Sequence, residues 1–297
     1  GARLDGWRSY AGVRREREAL TGAVTLDAPL GDASGATPTA RAGLRQRLHG
    51  DIWWRTAAYA GFRPPTLNEL HRPFRVGNDV TEANAALKPE TLYGVEAGLT
   101  GEGALRWSLT AFYNQVRDPV TNVTVGVGPG SFPIAGFIPA GGVLRQRRNV
   151  GEINAHGLEG DVEVQLTSAW TARAAASWTH ARVDGASAAA QLTGKRPAQA
   201  PALVVTAGAR WRPVERLSLD ADLRYEGIRY EDDLNLRRLK AGAGLDLRAG
   251  WSLTSTSEVY VLADNLLNQD LAVGQTADGV TSYAAPRTVS LGFSLRR

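Results

Sequence analysis

Cysteine and methionine are both absent from the 297 residues. Zero cysteine excludes disulfides and any Cys-x-x-Cys centre, and it is compatible with a chain that crosses an oxidising compartment. Zero methionine means no initiator. Residue 1 opens directly on a strand-like run with no signal peptide ahead of it, so a fragment or processed chain is expected. No run of eighteen apolar residues occurs, which excludes a transmembrane helix but leaves a transmembrane β-barrel open. Lysine occurs only at Lys88, Lys195 and Lys240. The net charge of +4 therefore rests on arginine. Those arginines are scattered along alternating positions and interleaved with Glu159, Asp161, Glu163, Asp220 and Asp222. A nucleic-acid partner would need them gathered on one face, so none is expected. Gly-x-Ser-x-Gly, His-Glu-x-x-His and Walker motifs are missing too. No catalytic residue, enzymatic activity, cofactor or metal centre is expected.

What is present is period-two alternation nearly everywhere, with little helical periodicity. The reading is all-β, with about twelve strands. Arg3–Tyr10 is the first, followed by a polar, glycine-rich link to about Pro38 and a strand over Thr39–Leu48. Ile52–Gly61 rises to Pro64-Pro65, which cannot sit inside a paired central strand. The chain stays out of the sheet for about thirty residues, a length usually reserved for functional or disordered loops, and returns at Thr91–Thr100. Leu105–Val116 is the cleanest strand. Leu105, Trp107, Leu109, Ala111 and Tyr113 fall on one face, and Arg106, Ser108, Thr110 and Asn114 on the other. Further strands are read over Leu158–Leu166, Trp170–Ala181, Leu203–Trp211, Leu217–Tyr225, Ala243–Ala249, Glu258–Ala263 and Thr288–Leu295. Short turns and long loops alternate strictly. That asymmetry belongs to an antiparallel up-and-down barrel in a membrane, with short periplasmic turns and long extracellular loops.

Aromatic residues mark both ends of the apolar face. Trp170 and Trp178 lie eight residues apart on one strand face, roughly 20 Å of height for a tilted strand. Trp107 and Tyr113 do the same at slightly closer spacing, while Trp211 closes one strand near its turn and Tyr225 closes the next near its loop. This matches the two interfacial girdles of an outer-membrane barrel. A soluble all-β adhesion module stays open as a competing reading; it would have no girdle, and its second layer would have to cover a heavily charged face.

The motifs resemble those of TonB-dependent outer-membrane receptors. Phe62-Arg63-Pro64-Pro65-Thr66-Leu67-Asn68-Glu69-Leu70 is similar to the family's FRAPTLNEL box, and Asn84-Ala85-Ala86-Leu87-Lys88-Pro89-Glu90 to its NPNLKPE box. Phe112-Tyr113-Asn114 with Asp118, then Asn149-Val150-Gly151 with Gly157-Leu158-Glu159, follow in the family's order. Asp264-Asn265-Leu266-Leu267-Asn268 resembles the NLFD box, and Pro286-Arg287 precedes the last strand. The resemblance implies that residues 1–297 are the C-terminal part of a 22-stranded barrel closed by a plug. The plug, the TonB-contacting box and the first half of the barrel would then lie outside this chain. It implies active import through the bacterial outer membrane, a monomer in full-length form, and TonB, the lipid bilayer and a ferric siderophore or similar metal chelate as partners. A passive porin-like or structural barrel, or a receptor for cobalamin, haem or sugar, is the alternative. Arg297 departs from the aromatic residue that usually ends such barrels.

Candidate ligand contacts follow from chemistry and position. His71 lies between the two boxes, where haem receptors carry a ligating histidine. Arg72 and Arg75 can grip an anionic chelate through paired N–H groups. Phe132 and Phe137, followed by Arg145, Arg147 and Arg148, form a second such group. Arg63, Glu69, Lys88 and Glu90 are read as fixing the loop rather than touching cargo. Asp232 and Asp233 are too few carboxylates for a calcium site.

Overall fold

The computed structural model describes residues 2–19 and 22–296, with side chains described from residue 35 onward; Arg297 lies outside the described residues. Twelve strands form one antiparallel sheet in strict chain order. They are β1 (Ala2–Ala19), β2 (Gly22–His49), β3 (Ile52–Arg63), β4 (Glu90–Glu102), β5 (Leu105–Arg117) and β6 (Glu152–Gln165), then β7 (Trp170–Asp184), β8 (Leu203–Val214), β9 (Leu217–Glu226), β10 (Gly242–Ser252), β11 (Ser257–Asp264) and β12 (Thr288–Leu295). The expected polar link before Pro38 is a correction. Backbone pairing runs unbroken from Ala2 opposite Ala40 up to Ala19 opposite Gly22, with one bulge beside Ser9. Alternation does not reveal this hairpin, because Gly and Pro interrupt the pattern while backbone pairing continues.

Five short connections, at residues 50–51, 103–104, 166–169, 215–216 and 253–256, fall at one rim, whereas the closely spaced ends of β1 and β2, Ala19 and Gly22, meet at the other. Two of the five carry local hydroxyl caps. Thr167 Oγ1 accepts from the backbone N–H groups of Ala169 and Trp170, and Thr254 Oγ1 from those of Thr256 and Ser257. Serine and threonine favour such turns for this reason. The long connections, 64–89, 118–151, 185–202, 227–241 and 265–287, all lie at the opposite rim.

The two faces of the wall differ as the alternation predicts. Leu105, Leu109, Tyr113, Leu158, Trp170 and Trp178 are exposed, with Leu109 at 49%, and among the described residues no second protein layer covers them. This excludes the sandwich reading. Trp170 stacks on Trp211 with ring centroids 5.2 Å apart, forming one of the girdles at the short-turn rim. The opposite face is a ladder of charge pairs: Arg45 with Glu102, Arg173 with Asp222, Arg210 with Asp220 at 2.5 Å, and Arg248 with Glu258 at 2.7 Å. Aromatic rings fill gaps left by glycine on this face. An added Cβ at Gly94 would stand 2.2 Å from the Tyr59 ring, and one at Gly157 would stand 2.1 Å from a Trp178 carbonyl oxygen and 2.8 Å from Phe112. These strands need glycine because a ring or backbone crosses them.

Buried apolar residues gather almost entirely in the long loops. Val123, Val150, Val183, Ala189 and Leu192 form one cluster, and Val80, Ile138 and Leu144 another. The wall thus has a lipid side and a water side, and the dry core sits beyond its rim.

Candidate functional site

The site begins where β3 leaves the sheet. Pro64 and Pro65 end the strand, and Thr66 then caps a short helix, α1 (Leu67–His71). Thr66 and Glu69 form a reciprocal capping box: Thr66 Oγ1 accepts from Glu69 N at 3.2 Å, and Glu69 Oε2 accepts from Thr66 N at 2.7 Å. Arg63 lies between two carboxylates. It donates to Glu69 at 2.9 and 3.1 Å and to Glu90 at 2.7 and 2.8 Å. Glu90 Oε1 also accepts from Val120 N at 2.6 Å. One guanidinium therefore ties the outgoing strand, the helix and the returning strand together, and Glu90 adds the next loop. Burial acts to raise the Glu69 carboxyl, but hydrogen bonds from Arg63 and Thr66 outweigh it and hold it below the usual glutamate value.

Beyond this neck the loops build their own sheet. Phe74–Val76, Asp79–Glu82, Val143–Asn149 and Val120–Val127 pair in that order, with Asp79–Glu82 parallel to Val143–Asn149. Parallel pairing here joins two different loops into one platform. Asn149 helps to set the register: its side chain bridges the Lys88 and Asp118 carbonyls at 3.0 and 2.7 Å and accepts from Lys88 N. Lys88 contributes its backbone to this contact, and its side chain is exposed.

Between the platform and the loops 185–202, 227–241 and 265–287 lies a cavity of about 560 Å³. Phe74, Val120, Leu192 and Pro197 give it apolar walls, and Arg145, Gln199 and Glu231 give it polar groups. Arg145 and Arg237 both reach Asp79, at 3.1 and 3.3 Å. Glu231 accepts from Gln199, and burial pushes its carboxyl above the ordinary range. Asp232 holds the backbone N–H groups of Leu236 and Arg237. Asp233 takes both the N–H and the hydroxyl of Thr124 at 2.7 Å. Both aspartates thus organise loops. Among the described residues no group of three or more His, Cys, Asp or Glu is arranged to hold a metal ion.

The sequence-derived candidates separate into two groups. Arg72, Arg75 and Phe137 are exposed on the outer loops, and His71 is half-buried in the last turn of α1. Phe132 is half-buried and packs against Val80, Ile138 and Leu144. Arg145 is engaged with Asp79, and Arg148 donates to Gln146 and to the Ala188 carbonyl. Arg147 is buried, 8% exposed. It donates to the carbonyls of Asn68 and Arg72 and lies over the Phe74 ring. Burial lowers its proton affinity. Carbonyls at a helix C-terminus are a favourable place for a cation, so the guanidinium braces α1 against the platform. Asp79, Arg196, Gln199 and Glu231 line the cavity, and Arg237 reaches it through Asp79, without having been singled out. They come from three different loops, and only the motif residues flanking them carried a sequence signal.

Comparison with known proteins places this geometry. The "TonB dependent receptor-like, beta-barrel" family model matches residues 1–266. The chain is 27% identical over 220 residues to an iron-regulated outer membrane virulence protein of Vibrio cholerae, covering 71% of this chain and 32% of that protein. Among solved structures, the copper transporter OprC superposes with a TM-score of 0.72 at 17% identity, over 99% of this chain and 44% of its own. The siderophore receptor PiuA from Acinetobacter baumannii superposes with a TM-score of 0.72 at 15% identity, over 99% of this chain and 40% of its own. The chain therefore spans well under half the length of the proteins it matches. With most of its residues matched, and with a wall that is apolar outside and charged inside, this chain belongs to the TonB-dependent receptor β-barrel family and is a portion of an outer-membrane barrel.

Proposed function

We propose that this chain is the C-terminal part of the barrel of a receptor that takes up a ferric siderophore or similar metal chelate, driven by TonB through a plug outside this stretch. The observation that carries the reading is the loop platform with its cavity of about 560 Å³. That volume lies in the range that encloses a small organic ligand. Its walls mix apolar surface with a few polar groups, which suits a chelate better than a hydrated ion. The V. cholerae relative is iron-regulated by name, and PiuA is a siderophore receptor, which supports iron as the nutrient. The likeness to a copper transporter is one of fold at 17% identity. Copper(I) favours thiolate and thioether ligands, and this stretch contains neither Cys nor Met. Arg72, Arg75 and Phe137, exposed on the outer loops, are the groups offered to cargo outside the cavity, and His71 is the group that haem would require.

The test is binding by the full-length protein of ferric catecholate, ferric hydroxamate, cobalamin and haem in turn. Saturable binding of one ferric chelate, weakened by Arg72→Ala with Arg75→Ala, is expected. Binding of cobalamin alone, or of haem alone with loss in His71→Ala, would replace the cargo, and binding of none would overturn the reading.

A further inference from the structure

The outward face of the wall does not stay apolar up to the long-loop rim. On β4 to β7 it ends in an aromatic row at Tyr93, Tyr113 and Trp178, each more than two-fifths exposed. Register then places a polar patch on the same face. Tyr113 lies opposite His156, which lies opposite His180; one row further out are Gln115, Asn154 and Arg182; beyond them are Arg117, Glu152 and Asp184. Arg117 stands four residues beyond Tyr113, about 10 Å higher on a tilted strand. That is headgroup height for a membrane whose apolar core ends at the aromatic row.

The charges of this patch are not equally available. Glu152 accepts from Gln115 at 2.8 Å and Asn154 at 2.6 Å, and Asp184 accepts from Ala186 N at 3.0 Å. Both acids are thereby held by protein donors. The arginines are different. Among the described residues, Arg117 donates through Nε to Gln115 and lies over the Tyr93 ring, while Arg182 donates through Nη1 to the Ala181 carbonyl. Each guanidinium carries five N–H groups, so most remain directed to whatever surrounds the barrel. The two arginines are two strands apart, about 10 Å, with the stacked pair His156 and His180 below them at a centroid distance of 5.0 Å.

We propose that this patch is a binding site for an outer-leaflet lipid with a phosphorylated headgroup, whose phosphate is held by Arg117 and Arg182 and whose acyl chains lie along Tyr113, Leu158 and Trp178. Guanidinium recognises phosphate through paired N–H donors, and the hydrogen-bonded Gln115, Asn154 and Glu152 network holds the neighbouring side chains in place. The site is on the outside of the wall and is independent of any cargo in the loops.

The experiment uses the full-length protein, stripped of lipid in neutral detergent, and measures retention of a diphosphorylated glycolipid by native mass spectrometry. Its dephosphorylated form and inorganic phosphate serve as separate probes. Saturable retention is expected, falling about tenfold or more for the dephosphorylated lipid and for Arg117→Gln with Arg182→Gln. Arg117→Lys with Arg182→Lys retains part of it, and Arg216→Gln in a short turn at the other rim leaves it unchanged. Heat-dependent gel migration checks that every variant is a folded barrel. Equal retention by the double glutamine variant, or equal retention of the dephosphorylated lipid, overturns the proposal. Displacement of the glycolipid by inorganic phosphate at matching concentration would show a free-anion site and would overturn the lipid as occupant.

Discussion

The wall and the loop platform are built on opposite principles within one chain. In the wall, Leu109 is 49% exposed and faces lipid, while in the platform Leu192 is 1% exposed inside a closed cluster. The wall needs no dry core, because its backbone groups are satisfied strand to strand and the bilayer covers its apolar side. The platform has water around it and must bury its own apolar groups to order five loops. The same residue type therefore carries different energies on either side of the rim. Charge differs likewise: wall arginines pair along an aqueous lumen, whereas Arg147 is sealed among carbonyls.

Four tests separate the two regimes. Leu192→Ala opens a cavity in the loop core and is expected to cost about 2–4 kcal/mol of loop stability. Amide exchange across residues 185–202 would read this, and Leu109→Ala should change exchange little, since lipid fills the space. If both alanines behave alike, the distinction between regions fails. Leu109→Arg places a charge near mid-bilayer and should cost roughly 2–4 kcal/mol in denaturant titrations of the barrel in liposomes. Leu236→Arg, at a residue 76% exposed in a loop, should cost almost nothing in the same titration.

Arg147→Met is next in size. It removes the donor from the Asn68 and Arg72 carbonyls, and a loss of about 1–3 kcal/mol is expected, confined to α1 and the platform. Limited proteolysis should then cut within residues 64–89 while the wall stays intact. The smallest effect is acid loosening of the neck. Glu69 has a folded-state value below its ordinary 4.5. The stability it contributes is therefore present above that value and is lost as pH falls through the depressed one. Exchange at α1 should rise as pH falls below the ordinary glutamate range in the native sequence. In Glu69→Gln it should be fast at every pH, with no acid step.

Much of this molecule could be read from residue order because a wall strand answers to local rules. Leu105 to Tyr113 alternate, so a pleated backbone puts them on one face whatever their neighbours are. From β2 onward, the succession of short and long connections then follows from the chain returning to the same rim on every second strand. Pro64-Pro65 and Thr66-x-x-Glu69 announce a strand end and a helix cap by their own chemistry. The tall β1–β2 hairpin was hidden because pairing there continues through Gly and Pro that usually mark a stop.

From β3 onward residue order alone determined the wall: its strands, its two faces, its girdles and the rim that carries the loops, since each depends on neighbours two or four positions away. Only the tertiary structure decided the cavity and the clamps. Asp79 meets Arg145 and Arg237, and Arg147 reaches Asn68, across separations far longer than any local pattern records. Such contacts arise when loops anchored side by side on one rim fold together, and their partners are set by that closeness in space.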